Sequence, residues 1–296
     1  MKKTGYIIEF ILLFIFNIFI LIIPLKLALW VGRRLGDISF FVLSIRRDVV
    51  MNNLSLAFPN KDRKELIDIA RRTYQNFGMS MMELLSFPKL KIGKLIGDKI
   101  EFEGLKYLDE LVAKKQGAIF VAGHFGSWEY MGAAVRQMGY PLDFLVGKQH
   151  NIFVDGLLNH YRKGKKIGII QLKMALRGVM KAVRNGRFVA MLSDQDAGKR
   201  DGVFDDFFHR PASTPKGPAV FSLHCDVPII MGFCVRRKMS DMHKIKFVKV
   251  DFEKTGNNEK DIELLTSKYT QILEDFIRKY PDHWFWFHKR WKTSAY

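Results

Sequence analysis

The stretch of the chain that most invites chemistry is Gly123-His124-Phe125-Gly126-Ser127-Trp128-Glu129. It holds an imidazole and a carboxylate five positions apart. A carboxylate beside an imidazole fixes its tautomer and stabilises its charged form, which makes the ring a proton acceptor near neutral pH. Such a base can take the proton of an attacking hydroxyl and pass it to a leaving thiol, with no nucleophile on the protein. The spacing sets a condition. On one continuous helix five residues turn through about 500°, so the two side chains would point roughly 140° apart. They meet only if His124 precedes a helix and Glu129 lies in its first turn. Gly126 permits that bend, and Ser127 can cap the helix start. Glu129 would also sit well at the positive helix end. The spacing is equally open to a plainer arrangement, a strand-end histidine in structural hydrogen bonds and a solvated glutamate.

The elements that must position this pair can be read around it. Ala118–Ala122 is a continuous apolar run, as in a strand covered on both faces, and His124 follows its end. Phe188–Leu192 is a second such run, leading into Ser193-Asp194-Gln195-Asp196. Further strands are expected over 141–146, 227–235 and 245–252, the last near a sheet edge. Helices are expected over 60–87, 105–115, 151–163, 174–183 and 261–280, and from the small-residue stretch after His124 through about Gln137. Asn60 or Asp62 can cap the first and Pro88 stops it. Another is expected from Pro215 to Cys225, with Thr214 as cap and Pro215 at its first position. The alternation argues for an α/β fold with a mainly parallel central sheet flanked by helices. Polar residues gather just after strand ends, where such folds place their sites.

The chain has 296 residues, 48% hydrophobic, and a net charge of +18, so it can build a full core and needs an anionic partner or surface. Nucleic acid and anionic lipid both fit. The cations are spread along the chain and no nucleic-acid motif is present, so no nucleic-acid partner is expected. Cys225 and Cys234 lack metal-ligand spacing and read as small core residues in a reducing compartment. Asp194, Asp196 and His209 match no strong metal pattern. No Gly-x-Ser-x-Gly occurs, which speaks against a serine hydrolase.

Tyr6–Leu25 carries only Glu9 and Asn17 as strongly polar residues, and about 20 helical residues span a bilayer core. No small-x-small cleavage site follows, so an uncleaved anchor is expected over residues 1–31 and the catalytic domain over 32–296. Lys26, Arg33, Arg34, Arg46 and Arg47 outnumber Lys2 and Lys3, which places the C-terminal side in the cytoplasm. Alternatively, Pro24 and the Trp30/Arg33/Arg34 cluster end the span and turn the next helix along the interface.

Gly-His-Phe-Gly-Ser-Trp-Glu at 123–129 resembles the His-x4-Asp/Glu motif of the glycerolipid acyltransferase superfamily. Ser193–Asp196, Thr214–Ala219 and Trp284–Lys292 follow in order. Together, over almost the whole chain, the four resemble the lipid A biosynthesis (lauroyl/myristoyl) acyltransferase family. The resemblance implies a glycerolipid-acyltransferase-like fold with an N-terminal membrane-anchoring helix. It implies transfer of a fatty acyl group from a thioester, on acyl carrier protein rather than coenzyme A, to a hydroxyl of an anionic lipid A precursor. The place would be the cytoplasmic face of a bacterial inner membrane. Another membrane glycolipid or a lysophospholipid is the alternative acceptor. His124 would be the general base, and Glu129 would orient and charge-balance it. Arg162 would lie near the reacting acyl group, on an oxyanion or a phosphate. Asp194 and Gln195 would line the site. No metal or cofactor is implied. His209 stands where the family often has a small residue and receives no role. Trp284–Trp291, interleaved with His288, Lys289 and Arg290, is expected at headgroup depth, with core packing and structural hydrogen bonding as the alternative. Arg236-Arg237-Lys238 and Lys163–Lys166 are expected to be solvated or membrane-facing, with a dock for the acyl carrier as the alternative.

Overall fold

The two apolar runs around the candidate site become neighbouring inner strands. The computed structural model describes residues 2–294. The outermost positions of the anchor and catalytic domain, Met1, Ala295 and Tyr296, lie outside the described residues, as do the side chains of Lys2 and Lys3. The strands are β1 (Ile100–Glu103), β2 (Ala118–Gly126), β3 (Leu142–Val146), β4 (Gly168–Gln171), β5 (Phe188–Leu192), β6 (Gly202–Asp206), β7 (Pro211–Pro215), β8 (Ile229–Arg236) and β9 (His243–Lys249). Seven form one sheet in the order β1-β9-β8-β2-β5-β3-β4, and β6 pairs with β7 as a separate hairpin. Within the large sheet only β8/β9 is antiparallel. The mainly parallel α/β expectation holds.

The helices are α1 (Lys2–Ile22), α2 (Leu25–Phe41), α3 (Arg47–Ala57), α4 (Arg63–Leu85), α5 (Lys106–Ala113), α6 (Trp128–Gln137), α7 (Ile152–Gly164), α8 (Ala175–Arg184), α9 (Gly198–Asp201), α10 (Gly217–Cys225) and α11 (Asn258–Lys279). Because β2 and β8 are covered on both sides, their sequences are continuous apolar runs instead of alternating ones. One core lies between the sheet and α5, α6 and α7, a second between the sheet and α3, α4, α8, α10 and α11, and a third where α1, α2 and α4 meet. Asp62 and Glu65 form the box that starts α4. The sequence expectation for residues 215–225 is corrected. Thr214 and Pro215 end β7, and α10 begins at Gly217 with Pro218 in its first turn.

α1 is long and apolar enough to cross a membrane. Ile8, Leu12, Ile15 and Ile22 point outward from it. Asn17 is buried against the rest of the protein, and Glu9 is exposed but still meets it. Asn17 donates to the Leu85 carbonyl at 2.8 Å and accepts from the Tyr161 hydroxyl, and Glu9 accepts from Asn151 at 3.1 Å. Proline lacks the N–H needed to continue a helix, and the chain breaks before Pro24. α2 then runs through position 31, the boundary read from the sequence, and lies flat on α4. The contact is between backbones: a Cβ on Gly32 would fall 2.6 Å from the Gly78 carbonyl oxygen, and one on Gly78 would fall 2.2 Å from that of Gly32.

α4 is tied to the sheet by a buried ion pair. Arg236, at the end of β8, donates to both oxygens of Glu83 at 2.7 Å, and Ser127 donates to the same carboxylate at 2.6 Å. The expected solvated cation run is therefore corrected at Arg236, which is buried, while Arg237 remains outside and pairs with Glu101. Burial opposes the Glu83 charge, yet the adjacent Arg236 holds its pKa well below the carboxylate range. His243 lies 3.2 Å from Glu83. Burial and then, against the pull of Glu83, the charge of Arg236 keep its pKa low. This cluster fixes Ser127, the residue just before α6. Glu83→Gln should leave Arg236 as an uncompensated buried cation. We expect a loss of about 3–5 kcal/mol of stability, seen as an earlier denaturation midpoint in detergent.

Candidate active site

His124 lies in the last part of β2, where pairing with β8 shifts register between Ala122 and Gly126. The bend demands glycine. Gly126 has φ +57°, and a Cβ there would fall 1.8 Å from the Cys234 carbonyl oxygen. α6 starts at Trp128, so His124 precedes the helix and Glu129 lies in its first turn, as the spacing required.

The expected pairing between them is nevertheless not what the structure has. The imidazole Nδ1 is 2.8 Å from Asp194 Oδ1, on the segment after β5. Asp194 Oδ2 accepts from the His124 backbone N–H at 2.8 Å and from the Trp284 indole N–H at 2.8 Å. Glu129 turns the other way and receives paired hydrogen bonds from Arg162, at 3.1 Å from Nε and 2.5 Å from Nη2. The third guanidinium nitrogen donates to Asn159 at 2.9 Å. Asp194 thus takes the orienting position expected of Glu129. The reason is geometric: the first turn of α6 directs Glu129 at α7, while β5 runs beside β2 and delivers Asp194 to the ring. Arg162 is likewise paired with Glu129, and it lines the cavity beside it. Gln195 lies beside the ring, its Nε2 3.5 Å from Nδ1. Asp196 is turned to the C-terminal segment, where it accepts from Thr293 at 2.8 Å.

Trp128 and Phe285 hold the imidazole, with ring centroids 5.1 and 5.6 Å away. Phe285 is placed by its N–H, which donates to the His124 carbonyl at 2.9 Å. The Trp284–Trp291 stretch is accordingly corrected from interface to core. Trp284, Trp286 and Arg290 are each at most 2% exposed, and Arg290 donates to Thr214 in the β6/β7 hairpin. Its apolar density closes the core beneath the site, and its arginine satisfies hairpin oxygens.

Burial by itself would depress the His124 pKa. The charge of Asp194 and its hydrogen bond outweigh that, with a smaller contribution from Glu129, and the pKa is raised. Asp194 behaves in the opposite sense. Burial raises its pKa, but the imidazole charge, the two hydrogen bonds from His124 and the one from Trp284 bring it below the ordinary value. An ionised Asp194 accepts a hydrogen bond from Nδ1–H, which fixes that tautomer and leaves the Nε2 lone pair as the basic site.

The histidine opens on a cavity of about 630 Å³, with its side chain 22% exposed. Side chains alternate along a strand, so Phe120, Ala122 and His124 share one face of β2. Ala122 and Ala190 leave the room, α6 and α7 roof it, and Leu172 and Leu192 lie exposed at its mouth. The lining is apolar except near His124, Glu129, Arg162, Gln149 and Gln195. Size and lining suit an aliphatic ligand fixed by a few polar groups.

Comparison with known proteins identifies what is built this way. The family described as bacterial lipid A biosynthesis acyltransferase matches residues 1–293. The chain belongs to this family. It is 24% identical over 275 residues to the lipid A biosynthesis palmitoleoyltransferase of Escherichia coli (strain K12), covering 92% of this chain and 87% of that one. It is 26% identical over 278 residues to the lauroyltransferase of the same organism, with the same coverage. A phosphatidylinositol mannoside acyltransferase of Mycobacterium tuberculosis (strain CDC 1551 / Oshkosh) is 24% identical over 171 residues, 54% of this chain and 52% of that one.

As a general base, His124 would act only with its imidazole neutral. Activity should therefore fall as pH drops through the raised His124 pKa. Asp194→Asn removes the charge that raises it. We expect the acid limb of the kcat/KM profile to move to lower pH while the plateau falls by about 10²-fold or more. An unmoved limb at full rate would count against the pairing.

Proposed function

We propose that this acyltransferase moves a fatty acyl group from an acyl carrier protein thioester to a hydroxyl of a lipid A precursor, on the cytoplasmic face of a bacterial inner membrane. The observation that carries this reading is His124, tied through Nδ1 to a buried Asp194, at the wall of an apolar cavity. Nε2 takes the proton of the acceptor hydroxyl as its oxygen attacks the thioester carbonyl. The tetrahedral intermediate collapses, the carbon–sulfur bond breaks, and the imidazolium returns the proton to the thiolate. Asp194 stabilises that imidazolium and holds the ring. Glu129 adds negative charge nearby without touching the ring, and Arg162 fixes Glu129. Gln195 borders the reacting atoms.

The acceptor's phosphates suit a chain of net charge +18, and the outward apolar side chains of α1 suit the bilayer. The excess of Lys and Arg after α1 supports the cytoplasmic face. The phosphatidylinositol mannoside acyltransferase among the relatives favours a second reading, in which another membrane glycolipid is the acceptor.

The test mixes purified protein with an acyl carrier protein thioester and a tetra-acylated lipid A precursor. We expect the mass of the lipid to rise by one acyl group. A precursor that never gains mass, while a mannolipid or lysophospholipid does, would rule out the proposed acceptor. His124→Ala should lower turnover by at least about 10²-fold. Full activity in that variant would overturn the mechanism.

A further inference from the structure

The inner end of the cavity is a single row of side chains across three strands. In the parallel register Phe120 of β2 stands opposite Ala190 of β5, and Ala190 stands opposite Phe144 of β3. Two phenyl groups thus flank a methyl, and all three residues line the cavity. Phe120 is four residues before His124, so the row lies about 13 Å of strand below the imidazole. In the next row, Leu142 beside Phe188, both side chains are fully buried, and Leu142 still lines the cavity and forms its floor just beneath the three.

The two phenyl rings differ in freedom. Phe120 is backed by β8 and β9: a Cβ on Gly232 would fall 2.4 Å from its Cζ, and the Phe247 ring lies 5.8 Å away. Phe144 faces α6, where a Cβ on Gly132 would fall 2.1 Å from its Cζ. The Phe144 ring therefore occupies the space that any side chain at position 132 would need. With glycine there the ring can lie back against the helix. A larger residue would push it into the cavity.

We infer that the Phe120–Ala190–Phe144 row, with Gly132 opposite, is the stop against which the donor's acyl chain ends, and that it sets the chain length accepted. This rests on the proposed donor chemistry, with the acyl tail in this cavity. A tail too short leaves apolar wall uncovered. A tail too long must displace a packed ring. One methylene in such a pocket is worth about 10–200-fold in discrimination.

The experiment offers a ladder of saturated acyl carrier protein thioesters in competition to the full-length protein, with one fixed lipid acceptor, and reads product masses. Ala190→Val and Gly132→Ala fill the stop and should raise the shorter-to-longer ratio of kcat/KM by about tenfold or more. Phe144→Ala opens it and should shift the ratio the other way by a similar factor. A general loss of packing cannot drive two variants in opposite directions. Wild-type ratios in all three active variants would overturn the inference and leave the proposed function standing. So would an unchanged donor preference together with a new preference for the acceptor's own chain length, read in a second series with one fixed thioester and acceptors of varied chain length, which would put the acceptor in the cavity. Failure of the wild-type protein to transfer any thioester acyl group to any of these lipids would sink both.

Discussion

One buried carboxylate holds the site together. Asp194, whose side chain is 1% exposed, accepts from the His124 ring, the His124 backbone and the Trp284 indole. A carboxylate removed from water to that extent is tolerated only when its oxygens are satisfied. Those three bonds join β2, β5 and the C-terminal segment, parts of the chain up to 160 positions apart (Trp284 against His124). The indole and the backbone N–H fix the carboxylate, and the carboxylate fixes the imidazole. The imidazole proposed as the base is therefore oriented by groups outside the proposed reaction, as preorganised catalysis requires.

Much of this was legible from the sequence, and the gaps have physical causes. The runs at 118–122 and 188–192 became adjacent parallel strands because each is apolar on both faces. Their register pairs Ala118 with Phe188, an offset of 70 that, carried onward, puts His124 beside Asp194. The partner of the histidine was thus contained in the spacing of two runs, but only once the strands were known to be neighbours. Local spacing pointed instead to Glu129, since five residues are visible along a chain and a strand pairing is not. Arg236 and the tryptophans near the C-terminus were misplaced for a related reason. A cation beside other cations reads as solvated until its distant Glu83 is seen, and aromatic residues read as interfacial until the core they fill is known. The strands β1 and β4 have four residues each and lie at the two edges, too short to show a period. The β6/β7 hairpin carries Pro211 and Pro215 at its ends and looks like loop.

Glu129 and Arg162 answer to a second constraint. They are both nearly buried and clamp α6 to α7 over the cavity, with Asn159 completing the guanidinium. A paired arginine in this position serves geometry as well as charge, since its planar fork fixes both oxygens of the carboxylate. Gly132 lies one helical turn further along α6, so the clamp and the close contact with the Phe144 ring are neighbours on one element.

The hydrogen bond from Tyr161 to Asn17 reaches from that clamp into the lipid-facing helix. Tyr161 directly precedes Arg162 in α7, and Asn17 also grips the end of α4 through the Leu85 carbonyl. The hydrophobic leader is thereby a brace for the roof of the catalytic chamber as well as a tether. A fragment trimmed of α1 would keep His124 and Asp194 and lose the strut from Asn17 to α7. Extraction strategies for this protein accordingly need to preserve its first helix and surround it with amphiphile.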